Sequence, residues 1–405
     1  MANAGTVSNN YTTSGLIFYN VGLKYGDVLY AASNDEVSLT LSNSSGGDVP
    51  AGYQYVYSTN AGTLEGSTLT MPDADVIVSV ALRSTGQPVS ITYIDADGTI
   101  GSHDAIALDG TETKLGEYNG EYNKDTWYFV GIDINVNHQV KVYKVHLILC
   151  NGKSMNFGTS SSPVNFKCIY YAYSDSAITI YGQTLIDDDA GNLNIYSYET
   201  GFDLPNNYTQ NSGNVTISST YNYDYGISSS AVTLNGGKLI VTSIRAISSS
   251  IYINGGKIQA TSQLKAANNI KLGWTNPDDY IQVSQYNAIY GNVIVAAGKC
   301  FAYTASGETT ILGGDNETTL TTDQIAAIAG KRLYPTVPYL DENGETQQCT
   351  EFTLLTGTET ELGAAGQETW CVVHSTLNYS HGIQLLGDTH IILADNAVMN
   401  VTVTG

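Results

Sequence analysis

Between Gly191 and Trp274 one short pattern keeps returning, and it limits the possible folds more than any other feature of the chain. It reads Gly, Asn or Lys, aliphatic, any residue, apolar, any residue, Ser. The four copies are Gly191 to Ser197, Gly213 to Ser219, Gly237 to Ser243 and Gly256 to Ser262, spaced by 22, 24 and 19 residues. A second pattern, aliphatic-polar-aliphatic before a turn, occurs at Ile178-Thr179-Ile180, Val232-Thr233-Leu234, Ile251-Tyr252-Ile253 and Ile270-Lys271-Leu272. Between them lie short third segments at Gly226-Ile227, Arg245-Ala246-Ile247 and Lys265-Ala266. Three short strands per turn of about 20 residues are the signature of a parallel β-helix. The fold class expected is therefore all-β, a right-handed parallel β-helix. Strand alternation then points Val232, Leu234, Ile251, Ile253, Ile270 and Leu272 inward as stacked ladders. Asn235 and Asn254 fall at one corner of successive coils, where amide side chains can stack as a ladder. Gly236-Gly237 and Gly255-Gly256 supply the backbone freedom that such corners need.

A longer duplication overlays the segment from Tyr93 on the segment from Tyr339. Tyr93-Ile94-Asp95 with Gly98 matches Tyr339-Leu340-Asp341 with Gly344, and Gly110-Thr111-Glu112-Thr113 matches Gly357-Thr358-Glu359-Thr360. Trp127 matches Trp370, His146 to Leu149 match His390 to Leu393, and Met155-Asn156 match Met399-Asn400. The offset stays between 243 and 247. Three parts follow: a small β-sandwich or β-repeat module over 1–88, a β-helix unit with its N-terminal cap over 89–334, and a second copy of its opening over 335–405. The second copy stops where coils would begin, so further copies are expected in a longer natural protein, with head-to-tail self-association at an open coil end. One helix is expected at Thr321 to Lys331, capped by Thr322.

Composition narrows the partners. Charged residues are 13% of the chain, and 16 Lys plus Arg stand against 38 Asp plus Glu, a formal net charge of −22. That field repels nucleic acid and anionic membranes, and favours cations, neutral glycans or a basic protein partner. No stretch is long and apolar enough to span a bilayer, so membrane insertion is not expected. The five cysteines match no zinc spacing, and isolated thiols within β-structure are the plain reading, with a Cys349–Cys371 pair as the alternative. The chain opens on Met-Ala-Asn-Ala-Gly without a signal peptide, which reads as a start from which an export signal has been removed.

Candidate chemistry is sparse. Asp187-Asp188-Asp189 is the one dense acidic cluster near the coils, a loop by its position and the candidate metal site if calcium binds. Asp95-Ala96-Asp97-Gly98 resembles the start of a calcium loop but lacks its closing Glu. His146 and His390 are expected on strand faces without a local partner. Sugar rings stack on flat aromatic faces, so Trp274, Tyr280 and the cluster Tyr221, Tyr223, Tyr225 are the ligand-binding candidates, against the plainer reading that they cover coil edges. Trp127 and Trp370 recur in the duplication and are expected to pack. A lyase or hydrolase of this fold needs a basic residue or several Asp on one coil face, and only Arg245 of the three Arg lies in the coils. No catalytic residue is assigned, and no cofactor is expected beyond calcium.

The run Met71-Pro72-Asp73-Ala74-Asp75-Val76 resembles the close of small extracellular β-repeats in bacterial surface proteins. Gly110-Thr-Glu-Thr, His390-Ile-Ile-Leu-Ala-Asp, Ile178-Thr-Ile-Tyr-Gly-Gln and the Asn-Gly-Gly-Lys coils resemble repetitive β-helical secreted proteins of gut Bacteroidota. The coils are also similar to a clostridial carbohydrate-binding β-helix family. The resemblance implies an extracellular or cell-surface location and a structural or adhesive role, with glycans or surface proteins as partners; a carbohydrate-binding module, calcium-assisted, is the alternative, and a polysaccharide lyase or hydrolase comes third. It hands over no catalytic residue.

Overall fold

A computed structural model of the chain describes residues 4–9, 16–19, 23–25, 28–41, 49–116, 125–220, 225–284 and 289–402. The chain is nearly all β, with 59% of the described residues in strands and one short helix among them, and it forms a β-solenoid of about 13 turns with mostly parallel bridges.

Residues up to Ser84 form the leading module. Its five-stranded sheet includes Ala4–Asn9, Val76–Ser84 and Tyr53–Thr59, and its four-stranded sheet includes Glu36–Leu41 and Thr68–Thr70. Val37, Leu39, Leu69, Met71, Val76 and Val78 are its buried core. The Met-Pro-Asp-Ala-Asp run thus ends with Met71 and Val76 both in that core.

The first solenoid unit has three faces, each a parallel ladder. On one face the inward register runs Ile106, Tyr128, Leu147, Ile180, Gln210, Leu234, Ile253, Leu272, Val295. On the second it runs Ile134, Met155, Leu193, Val215, Leu239, Ile258, Ile281. The third carries Val140, Ile169, Phe202, Ile227, Ile244, Leu264, Ile289. Each coil therefore delivers one apolar set to a common axis, which is why aliphatics alternate in every repeat. The duplicated Gly-Asn/Lys pattern is the second face, and the aliphatic-polar-aliphatic pattern is the first. One position breaks the apolar rule: Gln210 is fully buried, its amide donating to the carbonyls of Gly213 (3.1 Å) and Lys238 (3.2 Å) while accepting from the buried Tyr208 hydroxyl (3.1 Å). All three bonds keep this polar group satisfied inside the core.

The far end of the unit is closed. Thr318–Thr319 and Arg332–Pro335 pair antiparallel with the last rungs, and the helix Thr322–Ile328 lays Ile328 into the core beside Leu333. The helix cap is Thr321 rather than Thr322. Its hydroxyl accepts from the Gln324 amide, and Gln324 returns a bond to the Thr321 N–H, a capping box that the Thr321-x-x-Gln324 spacing spells out.

The second unit begins again after this cap. Thr353–Leu354, Glu361–Val373 and Gln384–Leu393 form a parallel ladder, and Thr376–Tyr379 pairs in parallel with Val398–Val401. Trp127 pairs with His146 in the first unit and Trp370 with His390 in the second, so the duplication holds at the level of register.

Candidate functional site

Each unit opens with a hairpin laid along the outside of its first coils. In the first it is Pro88–Ile94 with Ile100–Ala107, and in the second Val337–Leu340 with Thr346–Cys349. Beneath each hairpin an indole and an imidazole from successive coils stack. The Trp127 and His146 rings lie 4.2 Å apart at 11°, and Trp370 and His390 lie 4.2 Å apart at 12°. Parallel strands place register partners one coil apart, so two flat side chains on one ladder meet face to face. Tyr93 and Tyr339 lean on the two indoles at 5.0 Å and 4.7 Å.

An acid two residues before each Trp completes the group. Asp125 approaches His146 Nε2 at 3.5 Å, while Glu368 approaches His390 Nε2 at 3.3 Å and accepts from Trp370 Nε1 at 3.1 Å. His146 Nδ1 also lies 2.8 Å from the Tyr181 hydroxyl. Burial pulls the His146 pKa below its ordinary value, with Asp125 opposing. Both histidines thus have partners, contrary to the expectation of bare strand-face residues. The signal was present as Asp125-Thr-Trp127 and Glu368-Thr-Trp370, an acid-x-Trp repeated at the duplication offset.

The Gly-Thr-Glu-Thr motif is a loop clasp. The Glu112 carboxylate accepts from the backbone N–H groups of Asp109 and Gly110 at 3.0 Å each, and Glu359 does the same for Thr356 (2.8 Å) and Gly357 (3.0 Å). His138 and His381 then bond the carbonyls of Glu112 and Glu359 at 2.9 Å and 3.0 Å. This histidine pair, offset by 243 like the tryptophans, escaped the sequence reading because it stands among unmatched neighbours.

The acidic cluster is divided by the fold. Asp187 shares the Lys257 ammonium with Asp278, each carboxylate 2.9 Å away, while Asp188 and Asp189 are exposed on the turn. Burial disfavours the Lys257 charge, but the two carboxylates outweigh it and hold its pKa above the ordinary value. Asp279, buried, accepts from the amides of Thr275 and Asn276 at 2.9 Å each. Among the described residues no group of three or more His, Cys, Asp or Glu side chains is gathered to hold a metal ion. The same flank carries the expected amide ladder, Asn254 to Asn235 to Asn211 at 2.8 Å per bond, ending on Asp95 at 3.1 Å. The Asp95 loop is therefore the tip of the strap that ties the hairpin to the coils.

The aromatic candidates are not brought together. Lys299 sits over the Trp274 ring at 4.0 Å while its indole N–H donates to the Cys300 carbonyl at 3.1 Å. Arg332 covers Tyr280 at 4.2 Å and Arg245 faces Tyr225 at 5.1 Å. These rings pair with the chain's own cations. Tyr221 and Tyr223 lie outside the described residues. All five cysteines are free, Cys349 and Cys371 among them, and burial pushes the Cys168 thiol up to about 12.

No protein family, curated protein or solved structure matches the chain.

Proposed function

We propose that the chain is a non-catalytic structural and adhesive segment of a large secreted or cell-surface protein, built from solenoid units in series. The observation that carries this is the return of the same opening after a closed end. Once Ile328 and Leu333 cap the first unit, the second restarts with the same hairpin, the same Glu clasp and the same Trp–His register. A repeated, capped unit adds length and surface while its coils stack mainly on their immediate neighbours. The amide ladder from Asn254 to Asn211 and the cross-coil ion pair of Lys257 with Asp187 on the coil flanks support a load-resistant scaffold.

Two measurements test the reading. Pulling the chain from its ends in single-molecule force experiments is expected to give separate unfolding steps for the leading module and the first solenoid unit. A single featureless extension would contradict a modular scaffold. Incubation with plant and host polysaccharides is expected to release no reducing-end or unsaturated products, and reproducible release would overturn the non-catalytic part.

A further inference from the structure

We infer that an open groove beside Trp370 binds a neutral saccharide through one pyranose ring stacked on the indole. This goes beyond the scaffold reading and stands on a difference between the two units.

In the first unit Trp127 is closed on both faces. His146 from the next coil stacks on one, and His103 from the hairpin stacks on the other at 4.2 Å and 13°. In the second unit the coil side is covered identically by His390. The hairpin side is not. His103 pairs opposite Ile91, two residues before Tyr93, and the position opposite Val337, two residues before Tyr339, holds Cys349. A thiol is too short to reach the indole, and it turns instead toward the Glu351 carbonyl at 3.4 Å. Where the first unit has an imidazole, the second has an open groove of about 640 Å³ bordered by Trp370, Tyr339, Phe352, Gln348, Glu351 and Glu368.

The chemistry of the groove selects the ligand. Its platform is pre-organised: His390 backs the ring and Glu368 fixes the indole N–H, so little side-chain freedom is lost on binding. A pyranose presents axial C–H groups to an aromatic face and hydroxyls at its rim, where the Glu351 and Glu368 carboxylates accept and the Gln348 amide both donates and accepts. Two carboxylates at the rim repel uronates and sulfated sugars.

The test uses the whole chain and the indole N–H resonances of its three tryptophans. Cellohexaose, xylohexaose and mannohexaose are titrated as neutral probes and polygalacturonate as the anionic one. At least one neutral probe is expected to shift the Trp370 signal saturably while Trp127 stays fixed. Trp370→Ala is expected to weaken binding about tenfold or more, as loss of one stacked ring and its buried area implies. Cys349 is itself buried beside Val337 and Val372, so Cys349→His, which puts the first unit's blocking residue at the equivalent position and leaves Trp370 in place, is expected to lower the melting temperature and, in the chain that remains folded, to weaken binding likewise. No saturable shift with any neutral probe, unreduced affinity in a folded Cys349→His chain, or binding confined to polygalacturonate would each overturn the inference. None of these outcomes alters the force-extension result, so the site and the scaffold fail separately.

Discussion

Gly256 shows how tightly single residues are set in the coil corners. Its φ is +97°, and a Cβ there would lie 2.7 Å from the Gly237 carbonyl oxygen of the coil before. Gly256→Ala is expected to cost about 1–3 kcal/mol through backbone strain, read as a lower midpoint in chemical denaturation. Glu359 sets a second prediction. Burial raises its pKa, but hydrogen bonds from the Tyr379 hydroxyl, the Thr356 hydroxyl and the Thr356 amide outweigh burial and draw it down to about 2 from 4.5. A carboxyl with a depressed folded pKa stabilises the fold above its unfolded pKa, and that contribution is lost as pH falls from about 4.5 towards 2. Thermal melts at pH 7, 4.5 and 3 are expected to show a smaller acid loss for Glu359→Gln than for the parent chain. Both residues sit in sequence motifs, Asn-Gly-Gly-Lys and Gly-Thr-Glu-Thr, whose recurrence was legible. The reason for the Glu was not, because a carboxylate turned back on its own loop leaves no periodic trace.

Among the elements, the joint between the leading module and the first solenoid unit is built on one side chain. Tyr53 is buried, meets Phe129 edge-on at 5.9 Å, donates to the Leu108 carbonyl at 2.9 Å and accepts from the Gly131 amide at 2.9 Å. Ser84 reinforces the joint by donating its amide to Asp109 at 2.8 Å. Tyr53→Ala removes a large buried ring and orphans the Gly131 N–H, and is expected to cost about 3–5 kcal/mol. Hydrogen exchange should show protection lost first along Tyr53–Thr59 and Thr126–Val130. A boundary near residue 88 reads in sequence as a separation of modules. The structure instead buries Tyr53 across it, a long-range contact that no local pattern announces.

For the whole molecule, the decisive device is closure. The first unit ends its parallel ladders on antiparallel strands and a helix, leaving Ile328 and Leu333 buried over the last coil. Ile328→Asp places a carboxylate against that core, where it cannot stay charged without a partner. The expected result is a lifted cap and concentration-dependent association through the bared rungs, seen as faster species in sedimentation velocity. The parent chain at equal concentration serves as the reference.

The sequence alone determined the solenoid, its coil length, the inward ladders, the amide corner and the duplication. Each follows from a periodicity, and strand alternation turns a period directly into a direction in space. Only the tertiary structure decided what the aromatic and charged side chains do. Trp274, Tyr280 and Tyr225 are paired with cations that lie 20 or more residues away or on another strand, and Asp187 is joined to Lys257 across 70 residues. Trp127 and Trp370 are the same residue in the repeat, yet one is enclosed and the other borders a groove. That difference turns on His103 against Cys349, which stand at the same offset of 246 as Tyr93 and Tyr339 but whose consequence for the indole face appears only when the hairpin is folded over it.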